Sequence, residues 1–190
     1  APVREMLDAG LNVGIGTDAA HCADNQNMFE AMRLASFASR LRSHDYDSWL
    51  STREVAALAT TGSARALGMG SQTGKIAPGF EADLVLLDLN HVNWLPMNDP
   101  VNQLIHTEDA TAVHTVIVGG DLVVRDGQLL SIDVAKLKSD AQEAIAFLGE
   151  QNRETRALAE QLEQHVGKFC SGLARSPPHA HAMAEPDLPR

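Results

Sequence analysis

The sequence is 190 residues long, 44% hydrophobic and 21% charged, enough for one domain with a real core or for two small ones. Its formal net charge of −10 argues against a nucleic-acid backbone or an anionic membrane as partner, and no apolar run reaches the ~18 residues of a membrane span. Cys22 and Cys170 lie far apart and suggest no disulfide framework, which fits a reducing cytoplasm.

In chain order, Pro2 to Ala9 reads as a helix, with Pro2 suited to the first turn, Glu5 to the positive N-terminal end and Gly10 to a left-handed stop. Leu11 to Gly16 reads as a strand that is apolar without clean alternation, the pattern of a strand covered on both faces. A helix that leads straight into a buried strand reads as the middle of a repeating pattern, so the chain is expected to be a fragment of a larger protein or a truncated product. Asn27 to Leu41 is predicted helical, with Met28, Met32 and Ala35 on one face and Phe29, Leu34 and Phe37 broadening it. After the polar connection 43–47, Ser51-Thr52-Arg53-Glu54 fits a capping box for a helix running to about Thr60, and a second short helix, Ser63 to Leu67, should stop at Gly68.

The pattern then turns to β. Ala82 to Leu87 is a strand after the Pro78-Gly79 turn, and two further strands meet at Gly119-Gly120 before a turn at Asp126-Gly127 leads into Gln128 to Leu130. Between them, Pro100 starts a short helical turn. From Ile132 the apolar residues Val134, Leu137, Ala141, Ile145 and Leu148, then Leu158, Leu162, Val166 and Phe169, repeat at helical spacing. The Pro-rich stretch from Ser176 reads as a disordered tail. The implied organisation is 1–68, 69–131, 132–175 and 176–190.

One stretch raises a chemical question. In LNVGIGTDAAHCADNQNM, a buried run ends in Thr17-Asp18, and a loop rich in ligating and hydrogen-bonding groups follows. Either Asp18 caps the next element, or it faces a metal or a substrate. Thr17 either orients Asp18 or satisfies backbone groups. His21 and Cys22 are both zinc-binding residue types.

Four stretches together resemble the C-terminal part of the amidohydrolase superfamily of metal-dependent hydrolases: REMLDAGLNVGIGTD, NMFEAMRLASF, ATTGSARALGM, and GKIAPGFEADLVLLD with VIVGGDLVVRDGQL. The likeness is to its cytosine-deaminase and triazine-hydrolase branch, which includes thioadenosine and guanine-type deaminases. It implies an α/β chain that supplies the C-terminal part of a (β/α)8 barrel, part of a small β-sandwich and the terminal helices, with the active site at the C-terminal ends of the barrel strands. It further implies that Asp18 binds or adjoins a single Zn²⁺ or Fe²⁺ and takes a proton from the metal-bound water, while His21, Asp24, Asn25 and Asn27 face the substrate. The remaining ligands are expected upstream of Ala1. Where the branch often carries small residues and asparagines after the aspartate, this chain has Ala19-Ala20-His21-Cys22.

The resemblance implies hydrolysis of a non-peptide C–N bond, with deamination of a purine, pyrimidine or triazine as the leading reaction and a homodimer as the working unit. The alternatives are another amidohydrolase reaction (ring opening of a cyclic amide or imidazolone, or triazine dechlorination) and a catalytically inert fragment or interaction module. The His179-Ala180-His181 pair sits in the tail, far from the family's first-strand position for such a motif, and is expected to bind metal only adventitiously. His91, His106 and His114 read as structural or solvent-facing, and Met28 and Met32 as core.

Overall fold

The computed structural model describes residues 1–20 and 25–174, with side chains to residue 169. The chain divides into two compact units, Ala1–Ile132 and Asp133–Arg190. Among the described residues no helix is long and apolar enough to cross a membrane.

The first unit opens with α1 (Val3–Asp8), followed by an extended segment and then by α2 (Met28–Arg40). Asn27 caps α2 by accepting the amide hydrogens of Phe29 and Glu30, the use for which asparagine is favoured there. α3 (Thr52–Ala57) begins with the predicted capping box: the Ser51 hydroxyl accepts from the Glu54 amide, and the Glu54 carboxylate accepts from the Ser51 amide at 2.8 Å. Burial alone would raise the Glu54 carboxyl. Hydrogen bonds from Arg4 and Ser51 outweigh that and hold it below the usual carboxylate range.

α3 does not run on as an α-helix to Thr60. Its last turn widens into a π-helical turn, Leu58–Gly62, before α4 (Ser63–Ala66). Met32, Leu50, Val55, Leu58 and Ile105 form the buried core, with Val3, Leu7, Val13, Ile15 and Phe29 packed against them. The expected face of α2 is therefore only partly right. Met32 is buried, but Leu34 and Phe37 are largely exposed.

The segment Leu11–Gly16 differs from the predicted strand. It runs between α1 and α2 but makes no ladder with any strand among the described residues. Its apolar side chains Val13 and Ile15 do reach the core, and the peptide groups of Ile15 bond to Leu58 and Ser63 in place of a neighbouring strand.

The predicted β region folds into one antiparallel sheet of order β1-β2-β3-β4: β1 Leu84–Leu87, β2 Val113–Val118, β3 Asp121–Arg125 and β4 Gln128–Leu129. Val118 pairs with Asp121 across Gly119-Gly120, both at positive φ, as a tight two-residue hairpin requires. Asp83, just before β1, accepts from the Thr73 hydroxyl and the Gly119 amide, and these bonds hold its carboxyl below the usual range.

Between β1 and β2 lies α5 (Pro100–His106), capped by Asp99 with Pro100 in its first turn. His106 stacks on Phe37 of α2, ring centroids 5.4 Å apart, and Arg40 lies over the same ring. Burial, then the charges of Arg40 and Arg33, pushes the His106 imidazole below its ordinary value of 6.5. A histidine depressed in the folded state resists a proton that the unfolded chain accepts. Its stabilisation is present above 6.5 and declines as pH falls through that value toward the folded one. The thermal midpoint should therefore drop between neutral pH and about pH 5.5, and His106→Gln should flatten that step, read by circular dichroism melts at each pH. The depressed carboxylates act only at lower pH, Glu54 below its ordinary 4.5 and Asp83 below its ordinary 3.8.

The second unit holds the helices α6 (Val134–Gln151) and α7 (Arg153–Ala174), as the periodicity predicted.

Candidate active site

Asp18 stands at the end of the extended segment, exposed, in the left-handed region at φ 62°. Aspartate and asparagine are among the few residues that adopt this conformation at modest cost. Its Oδ1 accepts the Ala19 amide hydrogen at 2.8 Å, and the Thr17 hydroxyl donates to the Asp18 carbonyl at 3.4 Å. The short aspartate leaves the carboxylate close to where the backbone puts it.

Beside this turn lies a cavity of about 350 Å³, lined among others by Gly14, Gly16, Thr17, Asn25, Asn27 and Glu30. The structure thus brings together the end of the extended segment, the loop that closes onto α2 and the first turns of α2. Asn25 donates to the Glu30 carboxylate and accepts from the Asn27 amide at 2.8 Å. Asn27 is more heavily committed. Its side-chain oxygen caps α2, and its amide nitrogen donates to the Asp109 carbonyl at 2.9 Å. The expectation of a substrate-facing Asn27 therefore meets a residue whose polar atoms already have structural work. His21, Cys22 and Asp24 lie outside the described residues, as does His179-Ala180-His181.

A larger hollow of about 460 Å³ lies against α1, α2 and the Ser43–Leu50 connection. Its lining is mainly apolar, and its charged members are engaged in the ion pairs Arg4–Glu54 and Arg42–Glu5. It holds no acid–base constellation.

Two residues that support the cavity from behind its lining were missed in the sequence. The first is Glu108, fully buried, whose Oε2 accepts the Trp94 indole hydrogen at 2.7 Å while Oε1 accepts the amides of Asp109, Ala110 and Ala112. That carboxylate shapes the loop whose carbonyls, at Glu108 and Asp109, receive Arg33 and Asn27 and so pin the start of α2. The second is Ser63, considered below. The other histidines behave as read: His91 accepts from the Asn93 amide, and His114 faces Asp126 at 2.8 Å.

Among the described residues there is no group of three or more His, Cys, Asp or Glu placed to hold a metal ion. Catalytic zinc sites typically use three protein ligands. The described residues therefore do not make a metal site by themselves, and Asp18 supplies one carboxylate donor at most.

Comparison with known proteins places this geometry in context. The Amidohydrolase family matches residues 1–123. A 5-methylthioadenosine/S-adenosylhomocysteine deaminase of Acetivibrio thermocellus is 36% identical over 143 residues, covering 75% of this chain and 33% of the relative. A 5'-deoxyadenosine deaminase of Methanosarcina barkeri is 33% identical over 144 residues, covering 76% and 33%. Among solved structures, an adenosine deaminase from Xanthomonas campestris with bound zinc superposes with a TM-score of 0.72 at 30% identity, over 75% of this chain and 32% of that one. An atrazine chlorohydrolase from Arthrobacter aurescens complexed with zinc gives 0.71 at 33% identity, over 76% and 32%. The chain spans about a third of the length of the curated relatives it matches.

Proposed function

Because this chain belongs to the amidohydrolase family, we propose that the whole protein hydrolytically deaminates a small aminated heterocycle, with a purine as first choice, and that Asp18 is the proton-transferring carboxylate of its site. The observation that carries this reading is the placement of Asp18, exposed at φ 62° and directly after Thr17, which lines a cavity. The deaminases and zinc-bound structures it resembles support it.

In this reading the segment ending at Asp18 is the last strand of a (β/α)8 barrel, the sheet belongs to a small β-sandwich, and the working unit is a cytoplasmic homodimer. Asp18 would contribute one ligand to a zinc or iron ion, with the other ligands outside the described residues. Such a metal, when bound, brings the pKa of water down to about 7. The role of this chain is then to move the proton. A carboxylate oxygen of Asp18 takes it from the attacking water and returns it to the departing amine. Asp18 directly follows Thr17, which lines the cavity with Gly14 and Gly16, and in this reading His21, Asp24, Asn25 and Asn27 would face the substrate.

The test is ammonia release by the full-length, metal-loaded protein from a panel of 5'-substituted adenosines, guanine, cytosine and aminotriazines. The expected result is turnover of at least one adenosine at a kcat/KM in the ordinary enzymatic range, above about 10⁴ M⁻¹s⁻¹. Chloride release from a chlorotriazine without ammonia release would favour the second reading, which the likeness to the atrazine chlorohydrolase supports. No reaction with any of these by a protein that holds its metal would overturn both.

A further inference from the structure

The segment that delivers Asp18 lacks a strand partner among the described residues, yet it is fastened at Asn12, which accepts from Arg65 at 3.3 Å, and more closely at Ile15, three residues before Asp18. The Ile15 amide donates to the Ser63 hydroxyl at 3.1 Å, and that hydroxyl lies 2.8 Å from the Ile15 carbonyl and 2.9 Å from the Leu58 carbonyl. A residue in a β ladder offers its neighbour one acceptor and one donor. Here a single hydroxyl offers both to Ile15.

The contact depends on the π turn. By widening at Leu58–Gly62, the helix presents its backbone to the segment, and the Ser63 amide bonds back to the Leu58 carbonyl, which Ile15 also reaches at 3.3 Å. The approach is so close that only glycine fits on either side. A Cβ on Gly14 would meet the Ser63 Cα at 2.7 Å, and one on Gly62 would meet the Val13 carbonyl oxygen at 2.5 Å. Such backbone contacts cannot yield as a flexible side chain would. From Gly14 to Asp18 the chain passes from this clasp to the left-handed turn, with Gly16 and Thr17 between.

We propose that Ser63 is a positioning residue for Asp18: its hydroxyl, seated in the π turn, fixes the extended segment at Ile15 and thereby the place of the carboxylate. The proposal rests on the reading of Asp18 as the proton-transferring group. A displacement of about 1 Å at a reacting group costs on the order of a hundredfold in rate. Ser63 is not among the residues that line the cavity beside Asn25 and Asn27, so its loss should act on kcat and leave KM within about twofold.

The experiment compares Ser63→Ala, Ser63→Cys and Ser63→Thr in the full-length, metal-loaded protein, with Asp18→Asn beside them. Cysteine fills the space of serine but is a poor hydrogen-bond partner, whereas threonine keeps the hydroxyl. Expected is a loss of kcat of ~10- to 100-fold in Ser63→Ala and Ser63→Cys, with KM held and with substantial recovery in Ser63→Thr. Amide hydrogen exchange, read on peptides covering residues 11–18 without substrate, should be faster in the alanine and cysteine variants and near the parent rate in the threonine variant.

Unchanged kcat and unchanged exchange in Ser63→Ala, with turnover abolished in Asp18→Asn, would overturn the role of Ser63 and leave that of Asp18 standing. Equal loss in all three Ser63 variants, with KM rising and the thermal midpoint falling, would reduce Ser63 to a packing residue and also overturn it. Normal turnover in Asp18→Asn would instead remove the reading on which the proposal rests.

Discussion

Asp18→Asn in the full-length protein is expected to lower turnover by about a thousandfold or more while leaving the thermal midpoint within about 1 °C of the parent. General acid–base groups contribute some 10²–10⁴ in rate, and the substitution removes the group's basicity without removing its shape. The backbone argument leaves the local fold of this variant intact, and metal content measured beside turnover separates loss of the base from loss of the ion. Asp18 sits at φ 62°, a region that asparagine occupies as readily as aspartate, and asparagine keeps the side-chain oxygen that accepts from Ala19. Asp18→Ala would be a poorer probe, because it loses that bond and puts a residue with no local hydrogen bond into the left-handed region at about 1–2 kcal/mol. The check is ammonia release with kcat and KM determined separately, alongside a melt. Turnover of Asp18→Asn within about tenfold of the parent would exclude Asp18 as the proton carrier.

The sequence was most informative where local chemistry alone decides. The capping box at Ser51 and Glu54, the Gly119-Gly120 hairpin and the Pro100 helix start each depend on residues a few positions apart, and each formed as read. Asp18 stood out because a carboxylate directly after an apolar run is costly unless something uses it. What escaped notice was what depends on residues far apart in the chain. The segment Leu11–Gly16 has the composition of a buried strand, but strand ladders need a neighbour, and Ile15 is answered by Ser63, 48 positions away. In ATTGSARALGM nothing local announces that the helix will widen into a π turn at Leu58–Gly62. Glu108 was invisible for a similar reason. In the run HTEDAT it looks like one more surface acid, and only the fold folds Trp94 over it. The positive φ at Asp18 was hidden too, since aspartate adopts it at modest cost but far more often does not.

Glu108 is where the largest loss of stability should appear. Its side chain is fully buried and answers four donors, the indole of Trp94 and the amides of Asp109, Ala110 and Ala112. Glu108→Ala removes every acceptor at once and strands those donors away from water, at about 1–3 kcal/mol for each that finds no new partner. Part of that cost is recovered if water enters the space, so a net destabilisation of about 3–5 kcal/mol is expected from urea or guanidinium unfolding. Glu108→Gln separates the two oxygens. A glutamine carbonyl still serves the three amides, but its NH₂ then faces the Trp94 N–H, donor against donor, so a smaller loss of about 1–2 kcal/mol and a changed indole emission should follow. The consequences reach the cavity. The loop shaped by Glu108 receives Asn27 and Arg33 and so holds the first turn of α2, which lines the cavity through Glu30 and Ala31. In the full-length protein Glu108→Gln should therefore raise KM more than it lowers kcat, the reverse of the pattern expected for Ser63→Ala. A glutamine variant as stable as the parent, with unchanged Trp94 emission, would show that the buried carboxylate does not organise this wall.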